Sequence, residues 1–491
     1  MSFTSLAFCL FLPIVFIIYW VLSRHLRWQN TFIVLASYIF YGWWDWRFLT
    51  LIAFTSLASF GSGLALEYFN DHPRIRRFIT AGNITLNLGI LGVFKYFNFF
   101  AQSFTQLLAT FGLHADAPTL GLILPVGISF YTFQALSYTI DVYRRQLPAT
   151  RDAVAFFAYI SFFPQLVAGP IERATHLLPQ MLHARTFYIN NAADGLRQML
   201  WGFCKKMIVA DTCAMAVDLI WQSPGEQSAL VLAVGAFLFT MQIYGDFSGY
   251  SDIAVGCARL FGIDLMQNFR TPYFARSLAD FWRRWHISLM TWLRDYVYIP
   301  LGGNRCSRPR QFMNTLTVFF LSGLWHGAAW TFIFWGLYHG ILVSVEKAFP
   351  SRSSNLHRSL PTSQLSTLRS TLVAPHLKNF QLPILTFLLV TIGWIIFRAP
   401  DLTTLITYLG GLANLSTLTD FHSLTMGKTA ILWSLTLLAV EGFSRHRRHA
   451  LDFPQHGLLR HRLVRWAIYY ILLALILFYH GEQQTFIYFQ F

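Results

Sequence analysis

An all-α polytopic membrane protein is the fold class that this 491-residue sequence predicts. Three observations carry it. Hydrophobic residues make up 55% of the chain and charged residues only 12%, with a mean hydropathy of +0.46, which is a membrane value. Apolar runs of about twenty residues recur along the whole length. Basic residues collect in alternate loops between those runs. The net charge of +15 fits cytoplasmic loops and lipid headgroups. No nucleic-acid-binding motif accompanies it, so nucleic acid is not an expected partner. Cys9, Cys204, Cys213, Cys257 and Cys306 are scattered without C-x-x-C or metal spacing, so neither a disulfide framework nor a bound metal is expected.

The predicted apolar spans are 4–22, 30–44, 48–66, 78–100, 119–140, 153–169, 194–220, 226–245, 311–330, 331–347, 380–398, 428–442 and 463–479. Several are short or hold Pro and Gly. About a dozen hydrophobic helices are therefore expected, some of them half-helices or re-entrant. The opening run MSFTSLAFCLFLPIVFIIYWVLSRHLR lacks a basic n-region and a small-residue cleavage site, and reads as a retained first helix. The domain plan is a single integral membrane domain over 1–491. It comprises N-terminal helices to 118, a motif-bearing core over 119–347, a flexible basic loop over 350–379, and C-terminal helices over 380–491.

Orientation follows from Lys and Arg. The first loop holds Arg24 and Arg27, the third Arg74, Arg76 and Arg77, and the fifth Arg144, Arg145 and Arg151. The second holds only Arg47, and the fourth, long and external over Gln102–Ala117, has Lys95 and little else nearby. Odd loops are then cytoplasmic and the N-terminus is outside. The 350–379 loop and the run Arg445–Arg465 are also basic and cytoplasmic, which leaves the tail TFIYFQF outside. No internal repeat stands out, unlike the duplicated halves common in transporters.

Chemistry concentrates between Phe281 and Gly340. FWRRWHISLMTWLRDYVYIPLGGNR puts Arg283, Arg284, His286, Arg294 and Asp295 among aromatics, so this segment lies at the interface or faces a wet cavity. Read as a helix, Phe281, Trp285, Leu289 and Trp292 form one stripe, and Arg283, His286 or Ile287, Met290 and Arg294 another. FFLSGLWHGAAWTFIFWGLYHG then carries His326 at membrane depth, where an ionisable side chain marks function by default. Ser322 lies one turn before it, and its hydroxyl is placed to orient the ring. Trp325 flanks it. Gly323 with Gly327, and Gly336 with Gly340, are small-residue pairs that let a second helix approach closely. His339, thirteen residues past His326, falls on a largely different face and reads as structural or interfacial.

Four further stretches read as irregular backbone that lines a cavity. They are LPVGISFYTFQALSYTIDVYR from Leu124, FFPQLVAGPIER from Phe162, QIYGDFSGYSDIAVG from Gln242 and YIPLGGNR from Tyr298. Gln165, Asp246, Tyr250 and Asp252 are the polar residues in them that would line a path through the protein. The plainer alternative is helix caps for Asp246, Ser248 and Asp252, and ordinary kinks at Pro164 and Pro170. There is no G-x-S-x-G, Walker loop or dinucleotide fingerprint.

These motifs, with the terminal FIYFQF, resemble the membrane-bound O-acyltransferase family, and within it the bacterial alginate O-acetylation branch. The D-alanyl transfer proteins of teichoic acid synthesis resemble it as a neighbouring branch. The resemblance implies a ring of tilted transmembrane and re-entrant helices around a thin central tunnel. It places the family's two histidines at His326, in L-W-H-G, and His286, in W-H-x-S-L. It implies transfer of an acyl group, with no bound cofactor, from a cytoplasmic thioester such as acetyl-CoA to a hydroxyl on the outer side of the bacterial inner membrane. Periplasmic esterase-like (SGNH-type) partner proteins would pass the group to a polysaccharide.

The chemistry of the residues agrees with that role. A thioester is already activated, whereas a hydroxyl needs a base. A charged imidazole would be costly among Leu324, Trp325, Ala328 and Trp330, while a neutral one at His326 can take the proton. His286 would orient a reactant or polarise the carbonyl. Arg283, Arg284 and Arg294 would steer a phosphate-bearing donor, or else snorkel to headgroups. Covalent capture of the acyl group on His326 is the alternative. Rival classes are a transporter without chemistry and a scaffold in a secretion complex.

Overall fold

The computed structural model describes residues 1–113, 116, 119–167, 169–348, 378–417, 427–454, 457–479 and 484–487. Most of the expected basic loop over 350–379 and the last four residues of the aromatic tail lie outside these. Every regular element among the described residues is a helix. Among the described residues, four helical stretches are long and apolar enough to cross a membrane: Leu6–Arg24, Trp46–Tyr68, Pro73–Thr110 and Ala229–Leu260. Contacts divide the chain into two compact units, Met1–Met215 with Met241–Asn268 and Lys428–Phe491, and Ala216–Thr240 with Phe269–Gly427.

The first unit opens with α1 (Leu6–Val21), α2 (Leu26–Gly42), α3 (Leu49–Tyr68), α4 (Pro73–Leu91) and α5 (Phe97–Thr110). The α4–α5 junction is a π-helical turn over Gly92–Tyr96, so the expected loop from Gln102 is helix as far as Thr110. Its polar residues are spaced among Phe, Leu and Ala, with no Pro or Gly to stop the helix. Next come α6 (Ile128–Tyr143), α7 (Ala153–Ser161), the single turn α8 (Phe163–Leu166), α9 (Ala174–Leu182) and α10 (Ile189–Phe203). Two expected irregular stretches hold here. Gly127, at φ 75°, starts α6, and the chain breaks at Phe162 between α7 and α8. Helices α3 and α4 pack on α6. Asn83 bonds them together, donating to Ser59 and Ser62 at 3.3 and 3.1 Å and accepting from Thr139 at 3.0 Å. A buried amide satisfied on both sides supplies the specificity that apolar packing lacks in lipid.

A π-helical turn over Cys204–Ala210 leads to α11 (Asp211–Gln222), and α12 (Ala229–Leu260) follows. Both α11 and α12 begin in one unit and end in the other. The stretch from Gln242 expected as irregular is continuous helix inside α12. Its aspartates pair with buried lysines and need no break in the helix. Its glycines serve close packing instead. A Cβ on Gly249 would press on Gly202 O at 2.8 Å, and one on Gly202 on Gly249 O at 2.6 Å.

The second unit holds α13 (Leu278–Trp282), α14 (Ile287–Leu293), α15 (Arg308–His326), α16 (Trp330–Ala348), α17 (Lys378–Arg398) and α18 (Leu402–Ala413). In the first unit the chain closes with α19 (Lys428–Ser444) and α20 (Arg462–Phe478). The expected continuous helix from Phe281 is broken at 283–286, where His286 adopts the left-handed conformation at φ 47°. The freed carbonyl of Arg284 accepts instead from Arg270 N at 3.0 Å. The predicted apolar stripe nevertheless holds, because Phe281, Trp285, Leu289 and Trp292 are all buried. The YIPLGGNR turn is also as expected, with Gly302 and Gly303 at positive φ. Helices α15 and α16 form a hairpin whose seam is made by the two predicted glycine pairs. A Cβ on Gly323 would strike Phe332 O, and one on Gly336 would strike Phe319 O.

Candidate active site

The hairpin sets the position of His326. This residue ends α15, and Gly327 continues the chain in extended conformation into the turn before α16. Its ring is buried, edge-on to Trp335 at 5.0 Å and Phe397 at 5.3 Å, with Trp325 at 4.9 Å. The break at 283–286 supplies the second histidine. His286 is fully buried, 5.4 Å from the Trp325 ring and 6.3 Å from the His326 ring, centroid to centroid. Two imidazoles from distant parts of the sequence thus share one aromatic pocket. Rings this close can act on the same reacting group. The His286 ring gains this position from a left-handed backbone, which His tolerates better than most non-glycine residues.

Ser322, one turn before His326 on α15, is fully buried, but its Oγ makes no hydrogen bond among the described residues. It therefore does not orient the ring directly, as its spacing had suggested. Arg283 and Arg294 are turned outward. Arg283 faces Asp280 at 3.6 Å and Arg294 faces Asp295 at 2.6 Å, both on the exposed side of their segment. Burying a guanidinium without a carboxylate beside two histidines would cost several kcal/mol, by order of magnitude, and the local acids hold both at the surface instead.

The other four sequence candidates fall in the first unit. Asp246 and Asp252 sit mid-helix in α12, so neither is a cap. Asp246 pairs with Lys206 at 2.7 Å and accepts from Ile487 N at 2.6 Å. Lys206 also reaches Asp211 at 2.8 Å. Asp252 pairs with Lys205 at 2.6 Å and accepts from Gln198 at 2.7 Å. The Tyr250 hydroxyl meets Ser2 at 3.0 Å, and its ring packs on Phe486 at 4.2 Å. Gln165 donates to Tyr159 O at 2.8 Å and pins its own turn. The described contacts of these four are internal, and they tie helices and the C-terminal segment together.

The sequence reading missed the lysines. Lys205 and Lys206 stood inside the predicted span 194–220, and a pair of ionisable residues at membrane depth is itself a signal. It also missed Trp335, which touches His326, and Trp282 and Trp394, which pack on Trp335. His339 is not interfacial. It is fully buried, 5.3 Å from Trp335 and 5.0 Å from Trp282. The face computed from His326 fails because the chain reverses between α15 and α16.

Outside the apolar spans, the FFPQLVAGPIER stretch ends in a second ionisable pair. Glu172 is buried, accepts from Met266 N and meets His176 Nδ1 at 2.7 Å. Burial pushes its carboxyl above the ordinary value, against the pull of His176. The carboxylate in turn raises the His176 imidazole.

Residues 142–387 match the model of the membrane-bound O-acyltransferase family. That span includes both pocket histidines. A probable alginate O-acetylase of Pseudomonas aeruginosa is 40% identical, over 82% of this chain and 73% of its own. A peptidoglycan O-acetyltransferase of Helicobacter pylori is 33% identical, over 85% and 81%. A teichoic acid D-alanyltransferase of Bacillus subtilis is 28% identical, over 54% and 69%.

Proposed function

The chain belongs to the membrane-bound O-acyltransferase family, and on that premise we propose that it moves an acetyl group from a cytoplasmic thioester, acetyl-CoA or a close analogue, to a hydroxyl presented at the outer face of the bacterial inner membrane. The observation that supports this most directly is the buried His326–His286 pair at 6.3 Å. His326 acts as general base. It takes the hydroxyl proton as the oxygen attacks the thioester carbonyl. The C–S bond then breaks with its electron pair going to sulfur, and the products are an ester and a thiol. His286 directs a ring nitrogen at the carbonyl oxygen, where charge develops.

The end product is an O-acetylated exopolysaccharide of the alginate type, the acceptor named for the relatives at about 40% identity. A periplasmic esterase-like protein completes the transfer, because the external loops expected from the sequence are too short to grip a polymer. The peptidoglycan relative supports a second acceptor, a cell-wall glycan.

The experiment is turnover of His326→Ala in a deletion strain, read as esters on secreted and wall glycans by mass analysis. A positioned general base contributes about 10²–10⁴-fold, so roughly 3–5 kcal/mol of transition-state stabilisation is lost. His326→Gln is nearly as inactive, while His286→Ala is milder. Ester on secreted polymer supports the alginate type, and ester on wall glycan supports the second acceptor. Near-normal ester content with a folded His326→Ala protein would remove the general-base role and favour transport without chemistry.

A further inference from the structure

His326 does not stand alone on the hairpin. A second fully buried imidazole, His339, packs on the same Trp335 ring, and neither of its nitrogens has a hydrogen-bond partner among the described residues. Trp282 also touches His339 at 5.0 Å and Trp394 stacks on Trp335; Nε1 of these three indoles, and Ser322 Oγ one turn before His326, are buried and without partners among the described residues. A lone orphaned polar atom costs about 1–3 kcal/mol. Five such side chains, joined by these contacts or one helical turn from His326, are not accounted for by packing. Buried water typically answers such groups, making about three hydrogen bonds to atoms that would otherwise be orphaned.

The placement gives the cluster a direction. The Trp335 ring touches His326 at 5.0 Å and His339 at 5.3 Å, so one indole contacts both imidazoles. Helix α16 runs from the hairpin tip toward its base, and His339 lies about 13 Å along it at about 1.5 Å per residue. Both ends of the hairpin base are basic, with Arg305 before α15, Arg308 and Arg310 in its first turn, and Lys347 closing α16. The positive-inside rule puts that base in the cytoplasm. His339 is therefore displaced from His326 toward the side where the thioester enters and the thiol departs.

We propose that His339 is a second proton station, joined to His326 by water held on Trp335 Nε1, Trp282 Nε1 and Ser322 Oγ. The proposal rests on the general-base reading of His326. The hydroxyl proton passes to His326 as the ester bond forms. It moves through the held water to His339, and then to the sulfur that left with the C–S electron pair. The proton count balances: one hydroxyl proton is lost, one thiol is formed, and both imidazoles return neutral. His326 is thereby returned to its neutral, basic form before the next hydroxyl arrives. A tight fit holds the His339 ring in register, since a Cβ on Gly393 would collide with Nε2.

The test uses the full chain in inverted membrane vesicles supplied with acetyl-CoA, with thiol release as the readout and a thermal melt of each variant. His339→Phe keeps a ring and removes both nitrogens. His339→Gln keeps hydrogen bonding without proton transfer. Both lose kcat about 10–100-fold with KM within about twofold, at or below the low end of positioned proton transfer. Added imidazole restores His339→Ala, while pyrrole, of the same size but not a base, does not. If the His339 variants do not fold, Gly393→Ala is read instead. It keeps the imidazole, crowds Nε2, and lowers kcat at unchanged KM. Wild-type turnover by His339→Phe, equal rescue by pyrrole, or an unaltered Gly393→Ala would overturn the proposal. Activity in His326→Ala would instead overturn the general-base reading on which it stands.

Discussion

Gly336→Ala adds one methyl group beneath the site and changes no residue that touches a reactant. On the α15–α16 seam that methyl falls on Phe319 O, with Gly323 N 3.4 Å away. A backbone carbonyl inside a helix cannot swing aside as a side chain can, so α16 has to move as a body. Trp335 and His339 ride on α16, and Trp335 is one wall of the His326 site. A displacement of about 1 Å in such a support costs about 10²-fold in rate, or about 2.7 kcal/mol. Gly340→Ala is the matched control. Its methyl meets Leu316 Cδ2 at 3.0 Å and Phe319 Cβ at 3.2 Å, and the leucine can turn away. It should keep turnover within about twofold. Both changes raise helix propensity by about 1 kcal/mol, so any loss in Gly336→Ala comes from the seam. The assay is thiol release from acetyl-CoA by liposome-reconstituted variants supplied with an acceptor hydroxyl on the opposite face, with a melt for each. Equal turnover of the two folded variants would refute the claim that seam spacing positions the histidines.

Three further outcomes are expected. Lys206→Met strands Asp246 and Asp211 in the interior and should destabilise the protein by roughly 3–5 kcal/mol, read as a fall in melting temperature that Asp246→Leu partly reverses. The Glu172–His176 pair should make stability fall as pH rises: the imidazole is raised above 6.5, so its contribution is full below that value and is lost as pH climbs through the folded one. Melts across that window should slope downward in the wild type and flatten in Glu172→Gln. A reporter fused after Arg77 should behave as cytoplasmic and one after Leu113 as external; the reverse pattern would invert the donor and acceptor faces.

Much of this was legible because hydrophobic length and small-residue spacing are local properties. The helix borders of α1, α2, α15, α17 and α20 fall within a few residues of the apolar runs. The Gly323 and Gly336 pairs were visible as motifs, and the seam uses both. What was not legible depends on partners far along the chain. The break that places His286 requires Arg270 N to take the Arg284 carbonyl, and no local pattern announces a left-handed histidine. The regular helix through Asp246 and Asp252 depends on Lys205 and Lys206, some forty residues earlier, for neutrality. Read alone, the two aspartates look like caps or a polar path.

The two units divide the ionisable groups in a way that suits acyl transfer. In the first, buried charges are present and matched, with Lys205 and Lys206 against Asp252, Asp246 and Asp211. In the second, the arginines near the histidines are turned out to Asp280 and Asp295, and the pocket walls are indole and phenyl. A fixed cation beside His326 would oppose its taking a proton, and a fixed anion would oppose the oxyanion that forms as the hydroxyl attacks. Neutral N–H donors do neither. They stabilise charge only where it develops, and they act more strongly in a dry aromatic pocket than in water. Keeping permanent charge out of the histidine pocket is thus a requirement of the reaction as well as of the bilayer.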